Sequence, residues 1–257
     1  MSDLQLALRQ IRYENRSFWR NPPAAFFTFA LPLVFLVIFN LVFRNEEFDL
    51  PEGTVNLSVF YVPAVAALSV ITASYSNIAM SVTIARDQGL LKRKRGTPLP
   101  PWAFLFGKIA HATLIALLLV AIVTVTGALF FDVDVPSNTM PAFIVTLAVG
   151  AAAFSSLGLA ITVLVGNAQA SPAIVNGTIL PLFFVSDVFI RTEDAPSWLN
   201  TFADIFPVKH FSEALQAAFN PFETGAGFEF GHLAVMAAWG IAGLLVAVRF
   251  FSWEPRR

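Results

Sequence analysis

Residues 135–186 read VPSNTMPAFIVTLAVGAAAFSSLGLAITVLVGNAQASPAIVNGTILPLFFVS, 52 residues without one Asp, Glu, Lys or Arg. As a single helix rising about 1.5 Å per residue this run would be about 78 Å long. A bilayer's hydrocarbon core is about 30 Å thick and needs about 20 apolar residues per crossing. One break divides the run, at Gly166-Asn167-Ala168-Gln169-Ala170-Ser171-Pro172, where polar and helix-breaking residues gather. The stretch therefore reads as two crossings. Working outward, uncharged runs at 21–43, 53–85, 109–131 and 230–248 add four more. The expected spans are about 24–43, 59–84, 109–131, 140–165, 172–190 and 232–250.

Composition agrees. The 257 residues are 56% hydrophobic and 13% charged, with 27 Phe, and the mean hydropathy is +0.69. Soluble domains carry about 25% charged residues, so too few charges remain here to cover a water-soluble surface. A soluble enzyme, a disordered chain and a nucleic-acid binder are excluded, and the net charge of −1 offers nothing to a polyanion. The chain has no Cys, which removes disulfides, Cys-based zinc sites and thiol nucleophiles.

Charge placement sets the orientation. With the N-terminus inside, the segments 1–23, 86–108, 166–171 and 249–257 hold 13 of the 16 Lys and Arg, and the outer segments hold 13 of the 17 acids. Both termini are expected in the cytoplasm. Trp19, Trp102 and Trp253 fall at inner boundaries and Trp198 in the outer segment, where amphipathic rings settle. The first apolar run exceeds a typical signal-peptide core, so no cleaved leader is expected.

Three segments outside the spans are patterned. In 3–20, Arg9, Arg12, Arg16 and Arg20 fall within about 80° of helical arc, opposite Leu4, Leu8, Ile11, Phe18 and Trp19. This reads as a helix lying along the inner membrane surface, or as a basic topogenic segment that happens to be helical. Residues 86–108 carry Arg86, Lys92, Arg93, Lys94, Arg95 and Lys108 against Asp87, closed by Thr97-Pro98-Leu99-Pro100-Pro101. The run satisfies the positive-inside rule, and it also has the form of a short docking helix with a rigid exit. In the outer stretch 187–231, Trp198, Leu199, Phe202, Ile205 and Phe206, then Phe211, Leu215 and Phe219, recur at helical spacing on either side of Pro207. Two short re-entrant helices fit better than a water-exposed loop.

Catalytic chemistry is missing. No span contains Asp, Glu, Lys or Arg at depth, which speaks against a proton- or ion-coupled carrier. The phosphate-binding pattern G-x-x-x-x-G-K-[ST] does not occur, nor does a nucleophile elbow or a zinc-helix motif. His111, His210 and His232 read as unpaired interface residues, so no metal site and no catalytic residue is expected. The spans do offer hydroxyl and aromatic groups. Ser69, Thr72, Tyr75 and Ser76 form a polar face in span two, and Asn176, Phe183 and Phe184 lie in span five. These seven are the candidates for a translocation path, although ordinary helix packing explains hydroxyls equally well. Ala152, Ser156 and Ala160 form a stripe of small residues that lets helices approach.

The stretch Ala85-Arg86-Asp87-Gln88-Gly89-Leu90-Leu91-Lys92-Arg93-Lys94-Arg95-Gly96-Thr97-Pro98-Leu99 resembles the acidic-x-Gly-Thr-Leu-Lys-Arg-Leu-Arg-x-Thr-Pro-Leu loop of ABC-2-type exporter permeases, typified by those of daunorubicin resistance. Leu90 replaces the usual Thr, and Lys94 an apolar residue. A second likeness runs through Leu180-Pro181-Leu182-Phe183-Phe184-Val185-Ser186-Asp187, Pro196-Ser197-Trp198-Leu199 and Phe206-Pro207-Val208-Lys209-His210, with Asp187 where the family has Gly. The ending Arg249-Phe250-Phe251-Ser252-Trp253-Glu254-Pro255 is also similar.

The resemblance implies an all-α integral membrane protein with two parts: an interfacial helix at 1–23 and a six-span, N-in/C-in domain at 24–257. It implies a cytoplasmic coupling helix between spans two and three, with Asp87, Gln88, Gly89, Leu90, Leu91, Lys92, Arg93 and Arg95 seated on an ATPase subunit. Two ATP-binding cassette subunits and a second permease, a copy or a relative, are the implied partners, with ATP and Mg held on the ATPase and no cofactor on this chain. The setting is the plasma membrane of a prokaryote. The cargo is an amphiphilic drug, natural product or lipid, with a polysaccharide or glycolipid as the alternative. An embedded enzyme or scaffold, or an ion-coupled carrier, would lack the ATPase partner.

Overall fold

The computed structural model describes residues 3–43, 46–50, 53–189 and 196–254. Local sequence places the helix starts: a proline in the first turn, where it forfeits no hydrogen bond, opens α2 (Pro22–Val42), α6 (Pro101–Phe130), α7 (Met140–Ile161), α8 (Ser171–Val185) and α10 (Pro207–Phe219). Before them lies α1 (Asp3–Trp19). Between α2 and α6 come α3 (Ser58–Ile71), a π-helical turn at Thr72–Ser76, α4 (Asn77–Asp87) and α5 (Leu90–Arg95). The chain continues through α9 (Ser197–Ala203) to α11 (Phe230–Phe250).

Among the described residues, five helices are long and apolar enough to cross a membrane: α2, the continuous Ser58–Asp87 helix, α6, α7 and α11. The expected crossing at 172–190 is shorter than the sequence suggests. α8 has 15 residues, about 22 Å at 1.5 Å per residue. It ends because Asp187 adopts a left-handed backbone (φ 53°), which no right-handed helix continues through. α6, in contrast, starts at Pro101, eight residues before the expected 109, because 101–107 is apolar and helix-compatible behind its opening proline and Lys108 is paired with Glu14. The helical reading also missed a hairpin, in which β1 (Glu47–Leu50) pairs antiparallel with β2 (Gly53–Asn56), Glu47 opposite Asn56. The two short helices expected on either side of Pro207 form as α9 and α10, with Pro207 opening the second.

The Ser58–Asp87 helix is the axis: 89% of its most apolar stretch is buried, against 22% for α2 and for α11. Around it pack α6, α7 and α10. The buried stripe of α10, Phe211, Leu215 and Phe219, enters this core, with Phe211 edge-on to Phe154 at 5.5 Å and Phe219 edge-on to Phe143 at 5.4 Å. Lipid tails are as apolar as these rings, so close van der Waals fit, and not transfer from water, drives such packing. α11 lies along α7 where Gly240 and Gly243 face Ala153 and Leu157. Of the small-residue stripe, Ser156 joins this contact, while Ala152 is exposed and Ala160 half-buried.

Gly158 of α7 meets the π turn, and a Cβ there would lie 2.6 Å from the Tyr75 carbonyl oxygen and 3.0 Å from its Cα. Backbone cannot yield as a flexible side chain does. Gly158→Ala should destabilise the detergent-solubilised protein by about 1–3 kcal/mol, the usual range for overpacking, seen as a lowered Tm. An unchanged Tm would show that the π turn shifts freely.

Candidate functional site

At one end of the bundle α4 runs out through Arg86 and Asp87 and turns into α5 at Gly89, whose φ of +68° lies in the left-handed region. A side chain there has room but the wrong backbone, which costs an L-residue about 1–2 kcal/mol. α5 is a single amphipathic segment of six residues. Leu91 is fully buried among Ile78, Val82, Phe104 and Leu159, so it holds the helix in place instead of presenting a surface. Gln88, Leu90, Lys92, Arg93 and Arg95 face outward. Lys94 turns inward, its Nζ 4.8 Å over the Phe104 ring and 3.5 Å from Glu14 of α1.

Arg86 is 2% exposed. Its Nη1 donates to the Thr162 carbonyl at 2.9 Å, and its Nη2 donates to the carbonyls of Val165 and Gly166. These oxygens lie at the C-terminal end of α7, where carbonyls lack helical partners and the helix dipole is negative. The adjoining Asp87 carboxylate accepts the Ala168 N–H, so α4 holds the 166–171 break as well. The sequence pattern counted Arg86 as one charge of a solvated loop. Its spacing, six residues before the Lys92–Arg95 cluster and still inside the apolar helix, was the available signal.

α1 closes this end. Glu14 Oε2 accepts from Lys108 Nζ of α6 at 2.6 Å, Glu14 Oε1 accepts from Gln10 at 2.6 Å, and Lys94 stands on the same oxygen. Burial pushes the Glu14 carboxyl up, but Lys108, Lys94 and His111 together outweigh it and hold the carboxyl below its ordinary value. α1 is thereby tied to both α5 and α6.

At membrane depth the expected path residues divide. Ser69 and Thr72 donate back to the Val65 and Leu68 carbonyls of their own helix, a pairing that spends their polarity locally. Ser76 is half-buried, Asn176 is exposed, and Phe184 is exposed beside Phe189. Phe183 is buried against Phe189. Tyr75 alone reaches across, its hydroxyl 2.7 Å from Thr178 Oγ1 of α8. That pair forms the polar spot on an apolar groove of about 540 Å³, walled by Leu157 of α7, Leu182 of α8, Phe206 beside α10 and Trp239 of α11. None of Ser69, Thr72, Ser76, Asn176, Phe183 or Phe184 lines it. Thr178 and Trp239 were missed because only tertiary packing brings them to Tyr75. The placement of Tyr75 follows from the π turn, a wider coil common where helices carry function.

The described residues thus form a helical bundle with five helices able to cross a membrane, a basic helix mounted rigidly at one end and an apolar groove along its side. The family model of the ABC-2 type transporter matches residues 7–220, which end at the close of α10 and leave α11 outside. The chain belongs to the ABC-2 type transporter family. It is 25% identical over 154 residues to the probable multidrug ABC transporter permease YbhR of Escherichia coli, covering 60% of this chain and 42% of the relative. It is 26% identical over 194 residues to the daunorubicin resistance ABC transporter permease protein DrrB1 of Streptomyces coeruleorubidus, covering 72% of this chain and 64% of that one. The chain thus spans about half the length of the curated relatives it matches.

Glu14 supplies a prediction with a definite sign. A carboxyl held below its ordinary value contributes stability fully present above the unfolded pKa of about 4.3 and lost as pH falls through the folded value. Glu14→Gln should therefore loosen α1 at neutral pH by about 1.5–3 kcal/mol, the worth of a hydrogen bond to a charged group. Protection of the Asp3–Trp19 amides, corrected for the intrinsic exchange rate at each pH, should fall in the variant at pH 7, whereas the native protein should lose it only as pH drops through the lowered value of the Glu14 carboxyl. Equal exchange in both proteins at pH 7 would refute the anchoring role.

Proposed function

We propose that the chain is the permease subunit of an ATP-driven exporter that moves an amphiphilic small molecule or lipid out of the cytoplasm or inner leaflet. One observation carries the reading: the basic outer face of α5, fixed to the bundle through Leu91, Arg86 and Asp87, in a chain of this family. Two ATP-binding subunits, which hold ATP and Mg, dock against α5, and this chain has no nucleotide site of its own. A second permease, most simply another copy, completes the core. The membrane domain makes six crossings, with α8 and the residues after it as the fifth. Both termini lie on the cytoplasmic side of a prokaryotic plasma membrane.

In this mechanism closure of the ATPase pair pushes on α5. Arg86 and Asp87 grip the α7 end, so the push enters α4 and α7 together. Above them the π turn carries Tyr75 against α8, so a displacement of α4 changes the width of the groove. An amphiphile fits the groove better than a polysaccharide does. Its walls are apolar, and the Tyr75–Thr178 pair offers one polar contact where a glycan needs many. The multidrug and daunorubicin-resistance relatives favour the same class.

Affinity purification from native membranes should recover an ATP-binding subunit at one copy per permease. The double variant Lys92→Glu with Arg93→Glu should lose that subunit while keeping the native Tm. Leu91→Ala should instead lower stability by about 2–5 kcal/mol, as for other buried leucines. Recovery of the chain alone, in every detergent tried, would favour an enzyme or scaffold.

Orientation is tested separately. The chain has no Cys, so a cysteine introduced at Thr224 should react with an impermeant thiol reagent added to intact cells, and one at Arg93 should react only after the cells are opened. The reverse pattern would invert the topology.

A further inference from the structure

The end of the bundle opposite α5 gathers residues that the transport reading does not use. His210 and Glu213 lie one turn apart on α10, and His232 lies in the first turn of α11. His210 Nδ1 and His232 Nδ1 are 2.8 Å apart, and Glu213 Oε2 is 3.5 Å from His232 Nδ1. One donor atom from each of the three lies within 4.8 Å of the others. The histidines that the sequence presents as unpaired are a pair.

The tautomer of His210 is set by its other nitrogen. Nε2 stands 2.8 Å from the Asp204 backbone carbonyl, an acceptor only, so Nε2 carries the hydrogen. In the neutral ring the Nδ1 lone pair is then bare and aimed at His232. A backbone carbonyl orienting a ring in this way is the usual support of a metal-bound histidine. Zinc–nitrogen bonds of about 2.0–2.1 Å place ligand atoms about 3.3 Å apart around a tetrahedral ion. The separations of 2.8 and 3.5 Å bracket that value.

The surrounding charge also favours a cation. Asp187 and Asp204 act on Glu213, and Glu229 and Asp204 act on His232, opposed among the described ammonium groups by Lys209. Lys209 is engaged with Asp204 at 2.7 Å and stands 3.9 Å from Glu213 Oε1, leaving Oε2 free to face the histidines. Side chains of His232 and Glu213 are 28% and 33% exposed, so an ion can enter and a water can fill its fourth position.

We propose that His210, Glu213 and His232 bind a divalent transition ion of the zinc class. Two imidazoles with one carboxylate suit zinc over magnesium or calcium, which prefer all-oxygen sets. The ion ties α10, whose inner face is packed in the core, to the first turn of α11. It thereby clamps the outer helices to a segment beyond the 7–220 family match.

The test uses the full-length protein purified through a histidine-free tag, with Zn²⁺ titrated against a chromophoric chelator. One Zn²⁺ per chain is expected, and an excess of Mg²⁺ should not displace it. His210→Ala, Glu213→Gln and His232→Ala should each weaken binding at least about 10-fold, while His111→Ala leaves it unchanged. Co²⁺ should give the visible bands of a tetrahedral nitrogen–oxygen site in the native protein and lose them in His232→Ala. Elution volume and Tm without metal, matched to the native protein, guard against misfolded variants. Absence of stoichiometric Zn²⁺, equal loss in His111→Ala, or full affinity in Glu213→Gln would each overturn the three-residue site.

Discussion

A helix that stops inside or at the edge of a bilayer leaves carbonyls that neither its own turns nor lipid can satisfy. At the end of α7 the answer is a single guanidinium. Arg86 satisfies the Thr162 and Val165 carbonyls from another helix, and Asp87 takes the Ala168 N–H beside them. The break that splits residues 135–186 into two helices is therefore held by the same residues that begin the turn into α5. Arg's rigid fork suits several carbonyls at once, which an ammonium on a flexible stem does not. Removing it would orphan the α7 end and release α5 in one step.

From that joint the path inward is short. α4 leads into the π turn, and the π turn is accommodated because Gly158 gives it room. The wider coil directs Tyr75 at Thr178, and this pair marks the groove. Each link is a packed or hydrogen-bonded contact, so a displacement at α5 has a continuous route to the groove. The π turn meets α7 where backbone approaches backbone at Gly158, and it reaches α8 through the Tyr75–Thr178 hydrogen bond.

Much of the fold was legible because charge and hydropathy are blunt signals. The apolar runs locate α2, the Ser58–Asp87 helix, α7 and α11 to within a few residues, and the helical spacing of Phe211, Leu215 and Phe219 correctly marks a buried face. The length of α8 was not legible. Its end depends on the backbone angle of Asp187, which hydropathy does not encode. The candidate path was only partly readable for a related reason. A hydroxyl in a helix either returns to its own carbonyls, as in Ser69, or crosses to a neighbour, as in Tyr75. Sequence spacing is the same in both cases. Leu91 and Lys94 show the converse: two residues in a basic outward helix turn inward because Phe104 and Glu14 lie behind it.

Asp187 explains why α10 sits where it does. The turn after α8 takes the left-handed conformation that a glycine adopts without strain, and an aspartate holds it only if the surroundings impose it. They do so through α10. The Asp187 carbonyl accepts from Ser212 Oγ at 2.9 Å and from Gln216 Nε2 at 3.0 Å, and Ser212 is fully buried. Irregular backbone is tolerated at membrane depth only where protein supplies partners for it. α10 is amphipathic for that reason: one face, Phe211, Leu215 and Phe219, packs into the bundle, and its polar residues service the broken chain end above. A helix with an all-apolar surface would pack as well, but it would leave the end of α8 without hydrogen-bond partners. The short α8 and the amphipathic α10 are thus coupled at Asp187, where the polar face of one helix supplies the hydrogen bonds that the end of the other lacks.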